Sequence, residues 1–111
     1  MPASDPDLIV VNSLKVVHNH GAKLYNVGRH LEAVRLYQGA LYVVLQLMTH
    51  RPDLRLIIAD GMTEVEKSAA DEQLKAFRLH EVIDHVRNIL RETSPTLSGM
   101  NAVKLEKIGS L

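Results

Sequence analysis

The residues best suited to chemistry in this chain are histidines and carboxylates spaced for a helix. His80-Glu81-Val82-Ile83-Asp84-His85 pairs His80 with Asp84 and Glu81 with His85, because side chains four apart share a helical face. Such pairs offer imidazole nitrogen and carboxylate oxygen to zinc or another divalent ion. His80, Asp84 and His85 are therefore the candidate metal ligands. The spacing is not that of a zinc-protease helix, since His80 and His85 fall on different faces. A competent site needs a further ligand from another helix: His18, His20, His30 or His50. The competing reading is a solvated strip of His80, Asp84, Arg87 and Arg91, flanked across the buried stripe by Glu81, His85 and Asn88.

His20 and Lys23 suggest a second chemistry. A neutral histidine is a nucleophile, and a lysine one turn on can hold a phosphoryl group. Phosphotransfer bundles carry a glycine straight after that lysine, where this chain has Leu24. The chain has no cysteine, so disulfides, thiolate metal sites and cysteine nucleophiles are excluded together. No glycine-rich phosphate loop or serine nucleophile motif is present. The catalytic set is thus empty, no cofactor is implied, and the chain reads as a non-enzyme.

The elements that position these residues are helices. The chain is 111 residues long, 46% hydrophobic and only 4% aromatic, a balance that favours aliphatic helix packing. Thirteen basic and 13 acidic residues leave a formal net charge of zero, which argues against a nucleic-acid partner. No apolar run reaches the length of a membrane span. The acidic start, Met-Pro-Ala-Ser-Asp-Pro-Asp, shows no signal peptide, so the default location is cytoplasmic.

The organising stretch is residues 21–40. Leu24, Tyr25 and Val27 end one apolar pattern, Leu31, Val34 and Tyr37 begin another, and Gly28 stands between them as a helix stop. Small residues at Gly21, Ala33 and Ala40 let two helices approach closely. Gly21, Gly28, Ala33, Tyr37 and Ala40 stand at the spacing of the small and aromatic positions of a tetratricopeptide repeat, which the stretch resembles, and the hairpin also resembles that of a microtubule-interacting-and-trafficking domain. Leu24 and the late Pro52 depart from the repeat pattern. The resemblance implies a protein-interaction scaffold.

The fold expected is all-α: an antiparallel four-helix bundle with helices at about 6–27, 29–50, 53–67 and 69–92 and a repeat-like first hairpin. Asp5 and Pro6 start the first helix, and Ser4 with Asp7 has capping-box spacing. Val10, Leu14, Val17, Gly21 and Leu24 form its stripe. The second helix is apolar nearly all round, which predicts a central position. Asp60-Gly61 could break the third helix; one helix weakened at Gly61 is preferred. Ser68 and Asp71 start a fourth, with Ala76, Leu79, Ile83, Val86 and Leu90 buried. Residues 1–92 form one domain, and 93–111 read as a mobile or loosely docked tail.

The function expected is a non-catalytic interaction module or small adaptor. It would bind a partner helix or peptide, or a second copy of itself, on a bundle face. Tyr25, Tyr42, Leu36 and Val43 are the candidate contacts, against core packing as the plain alternative for the tyrosines. A histidine metal-binding or phosphotransfer protein is the alternative.

Overall fold

The computed structural model describes residues 5–93 as four α-helices and no strand. They are α1 (Pro6–Asn26), α2 (His30–Leu47), α3 (Pro52–Lys67) and α4 (Glu72–Thr93). The expected all-α four-helix bundle is what forms. Ser4 and residues 94–111, the bulk of the expected tail, lie outside the described residues. None of the described helices is long and apolar enough to cross a membrane.

Local chemistry sets the ends of α1. The Asp5 carboxylate accepts from the backbone N–H of Asp7 (3.0 Å) and Leu8, and Pro6 fills a position where its missing N–H is no loss. At the other end Arg29 N–H donates to Leu24 O (2.9 Å) and Gly28 N–H to Tyr25 O (3.0 Å). This is a Schellman stop, and it requires the left-handed φ of +83° that Gly28 adopts. The chain then doubles back into α2.

Gly21 explains how closely α1 and α2 pack. A methyl group there would fall on the ring of Tyr37 in α2, which is itself 2% exposed. Of the expected α1 stripe Val10, Leu14 and Gly21 are buried and Val17 and Leu24 half-buried; Val34, Leu41 and Val44 from α2 and Leu54 and Ile58 from α3 are buried with them. On α4 the five predicted positions, Ala76, Leu79, Ile83, Val86 and Leu90, are all fully buried. α4 packs against each of the other three helices, as α2 does. The central place expected for α2 is therefore shared with α4. Of the further apolar residues that suggest α2 is surrounded, Val43 and Leu47 face outward instead, and Leu36 and Leu45 are half-buried.

Two boundaries differ from expectation, the end of α2 and the start of α4, while α3 forms the single helix preferred. α2 ends at Leu47 rather than near residue 50, with Met48 at the C-cap, its N–H on Val44 O (3.0 Å) and its side chain completely buried. α3 runs unbroken through Gly61, where α4 packs so closely that a Cβ would stand 2.7 Å from Val82 Cγ2. α4 starts at Glu72 rather than 69. Asp71 takes the cap, accepting from Leu74 N–H at 2.9 Å, while the Ser68 hydroxyl serves a turn at Ala70.

Candidate functional site

Two features of the bundle could act on something outside it. One is a cluster of polar side chains where α1 meets α4; the other is the outer groove of the α1–α2 hairpin.

The cluster begins on α4, where one helical turn puts His80 and Asp84 on the same face with Nε2 and Oδ2 3.4 Å apart. Packing of α1 alongside brings in His18. Its Nε2 lies 2.6 Å from His80 Nε2 and 3.6 Å from Asp84 Oδ1. One donor atom from each of the three residues falls within 4.8 Å of the others. The imidazole rings stand 4.5 Å apart and tilted by 40°, and the Phe77 ring stacks on His80 with centroids 6.0 Å apart. The side chains are neither core nor fully solvated: His18 is 22% exposed, His80 30% and Asp84 41%.

A short Nε2–Nε2 contact needs one nitrogen to donate and the other to accept, so both rings cannot be doubly protonated. Burial pushes the His80 imidazole below its ordinary value, with the Asp84 carboxylate pulling the other way and His18 adding to the fall. His18 Nδ1 lies 3.4 Å from Asn19 Oδ1, an acceptor only if the nitrogen carries the proton. His80 Nδ1 is buried with no partner among the described residues.

Two neighbours were not read as part of this site. Arg87 Nη1 approaches Asp84 Oδ1 to 3.7 Å, and its side chain is 11% exposed, so it is not on a solvated strip as the spacing suggested. Its burial lowers the guanidinium below its usual value. Tyr37 donates its hydroxyl to His18 O (3.4 Å), and burial, aided by the Asp84 charge, pushes it up to about 12. Both reach the cluster from core packing, which no local motif encodes.

The remaining histidines are elsewhere. His85, offered as a ligand beside His80 and Asp84, is exposed on the other flank of α4 and lines the α3–α4 cleft with Asp60, Glu64 and Glu81. Five residues of helix place it well round from His80. His50 pairs with Asp7 at 2.8 Å, and His30 packs on the ring of Tyr25. His20 and Lys23 stand exposed together at the elbow of the hairpin.

The second feature is the outer groove between α1 and α2. At its far end from the elbow Ile9, Val17, Ala40, Val43 and Leu47 line a cleft of about 230 Å³ in which no charged side chain takes part. Ile9, Val43 and Leu47 remain 47%, 58% and 51% exposed. Nearer the elbow a second cleft between the same helices is mainly basic, with Lys23, Arg29 and Arg35 around Glu32 and beside Leu24 and Leu36. Arg29 is held by Glu32 (Nη2–Oε2 2.7 Å), whereas Lys23 and Arg35 have no ion-pair partner among the described residues.

The four expected contact residues are thus divided. Val43 and Leu36 lie along this groove. Tyr42 is 60% exposed, and Tyr25 belongs to the α1–α4 side, where its hydroxyl accepts from Gln73 Nε2 at 3.3 Å. No protein-family model, curated protein or solved structure matches this chain.

Proposed function

We propose that this protein is a non-catalytic interaction module that binds an amphipathic helix of another protein along the outer α1–α2 groove. One observation carries the reading: the same two helices, α1 and α2, line an uncharged apolar trough at Ile9, Val43 and Leu47 and a basic cleft at Lys23 and Arg35. Helix-in-groove recognition uses such a trough for apolar anchors at helical spacing. Unpaired cations at one end select a partner whose helix is acidic there, and they fix its direction. The likeness of residues 28–40 to a tetratricopeptide repeat agrees with this use, and rests on those residues alone.

The test is amide chemical-shift mapping of the full chain with two synthetic amphipathic helices, one leucine and glutamate, the other leucine and lysine. The acidic peptide should shift amides along α1 and α2 and bind more tightly than the basic one. Val43→Asp should weaken it by about tenfold or more, as loss of a buried anchor does. Shifts confined to the α3–α4 cleft, or equal binding of both peptides, would exclude the groove. Light scattering on the same sample separates the case in which the occupant is a second copy.

Phosphotransfer is the second reading, favoured by the exposure of His20 beside Lys23. It requires an acid-labile phosphate on His20 after incubation with acetyl phosphate, with acetate released. Absence of that label in wild type, or its persistence in His20→Ala, removes it.

A further inference from the structure

The geometry points to a divalent transition-metal site formed by His18, His80 and Asp84, joining α1 to α4 and independent of the α1–α2 groove.

Donor chemistry narrows the ion. Two imidazole nitrogens and one carboxylate suit zinc, cobalt, nickel or copper, whereas magnesium and calcium favour oxygen donors throughout. Spacing agrees with a small tetrahedral ion. Bonds of 2.0–2.1 Å put neighbouring donors about 3.3 Å apart. The two nitrogen–oxygen separations here are 3.4 and 3.6 Å, close to that edge. The nitrogen–nitrogen separation is 2.6 Å, shorter by about 0.7 Å. At that distance the two lone pairs repel unless something positive lies between them. A single proton does so in the hydrogen bond; a divalent ion would do so with both rings turned slightly apart. His18 and His80 are side chains at the margin of the core, 22% and 30% exposed.

Preorganisation comes from the fold. His80 and Asp84 are one turn apart on a helix whose adjacent stripe, Leu79 and Ile83, is completely buried. His18 is presented from α1 just before the Gly21 contact that fixes α1 against Tyr37. When His18 carries its proton on Nδ1, 3.4 Å from Asn19 Oδ1, its Nε2 lone pair is free for an ion. Three protein donors leave a fourth position for water or an incoming ligand.

Two features limit affinity, and each makes a prediction. His80 bound through Nε2 would carry its proton on Nδ1, which is buried and has no acceptor. An outer partner of that kind is worth about 10–100-fold in affinity, so this site binds correspondingly more weakly than one with both imidazoles supported. The Arg87 guanidinium, 3.7 Å from Asp84 Oδ1, repels a cation held by the same carboxylate. Removing that charge in Arg87→Gln should tighten binding.

The experiment is a zinc titration, and separately a cobalt(II) titration, of the full chain made without a histidine tag and stripped with chelator. The expected result is one ion per chain, visible cobalt bands of a tetrahedral site, and movement of the His18 and His80 ring resonances. His80→Ala and the near-isosteric Asp84→Asn should each lose about tenfold or more in affinity, while His20→Ala and His85→Ala match wild type. Circular dichroism of each variant separates a lost ligand from a lost fold, and Asp84→Asn carries the test if His80→Ala unfolds. The proposal is overturned if zinc fails to bind stoichiometrically. It is equally overturned if folded Asp84→Asn binds as wild type, or if His20→Ala or His85→Ala abolishes binding.

Discussion

Gly21 and Gly39 both sit inside helices, and the two should answer a methyl group with opposite sign. Alanine is the better helix former by about 1 kcal/mol, so an unopposed change stabilises. At Gly39 nothing lies within 4 Å of the new Cβ, and Gly39→Ala should raise the melting temperature by several degrees. At Gly21 the same atom lands on the Tyr37 ring, which is 2% exposed and must shift to admit it. Overpacking of that kind costs about 1–3 kcal/mol, enough to outweigh the helix gain. Gly21→Ala should therefore melt below wild type, read by circular dichroism at one protein concentration. A Gly21→Ala protein as stable as Gly39→Ala would mean that α1 and α2 do not approach as closely as described. The role of Gly21 is legible in the sequence because its partner residues lie on the next helix, inside one hairpin. Arg87 was misread at the same scale: its spacing belongs to a solvated strip, and only the packing of the other helices buries it.

Helix boundaries show what local signals can and cannot decide. The start of α1 and the stop at Gly28 follow from residues within one turn of the boundary, and both are legible. Between α3 and α4 the sequence offers two capping residues, Ser68 and Asp71, at a spacing that fits either start. Ser68 has extended backbone at the end of α3 and spends its hydroxyl on Ala70 N–H, so the cap falls to Asp71. Asp71→Ala should then lower stability by about 1 kcal/mol, and Ser68→Ala by clearly less. Urea unfolding of both variants measures this, and equal losses would place the helix start earlier than Glu72. The end of α2 was less legible for a different reason. His50 and Arg51 look like cations placed for a helix C-terminus, but they follow the helix and pair with Asp7 instead.

At the scale of the whole molecule, what was legible falls off with sequence separation. The first hairpin joins neighbours in the chain and could be read almost residue by residue. His18 and His80 are 62 positions apart, and nothing near either says which of the six histidines it will meet. Their meeting depends on α4 packing against α1, and so on how the ends of the bundle are tied. Arg51 supplies that tie. From the α2–α3 connection its guanidinium donates to Asp7 Oδ2 (3.1 Å) in the first turn of α1 and to Thr93 Oγ1 (2.9 Å) at the end of α4. Exposed ion pairs contribute about 0–1 kcal/mol, whereas hydrogen bonds to charged groups out of solvent contribute about 1.5–3 kcal/mol. The side chains of Arg51 and Asp7 are 17% and 15% exposed, which puts this pair nearer the second case. Arg51→Ala should therefore cost about 1–2 kcal/mol and speed amide exchange at the start of α1 and the end of α4 together. Arg51→Lys should recover little, because an ammonium lacks the planar fork that reaches both partners. A double-mutant cycle with Asp7→Ala should show coupling of at least about 0.5 kcal/mol. Strict additivity, or faster exchange at only one of the two helix ends, would show that Arg51 does not join them.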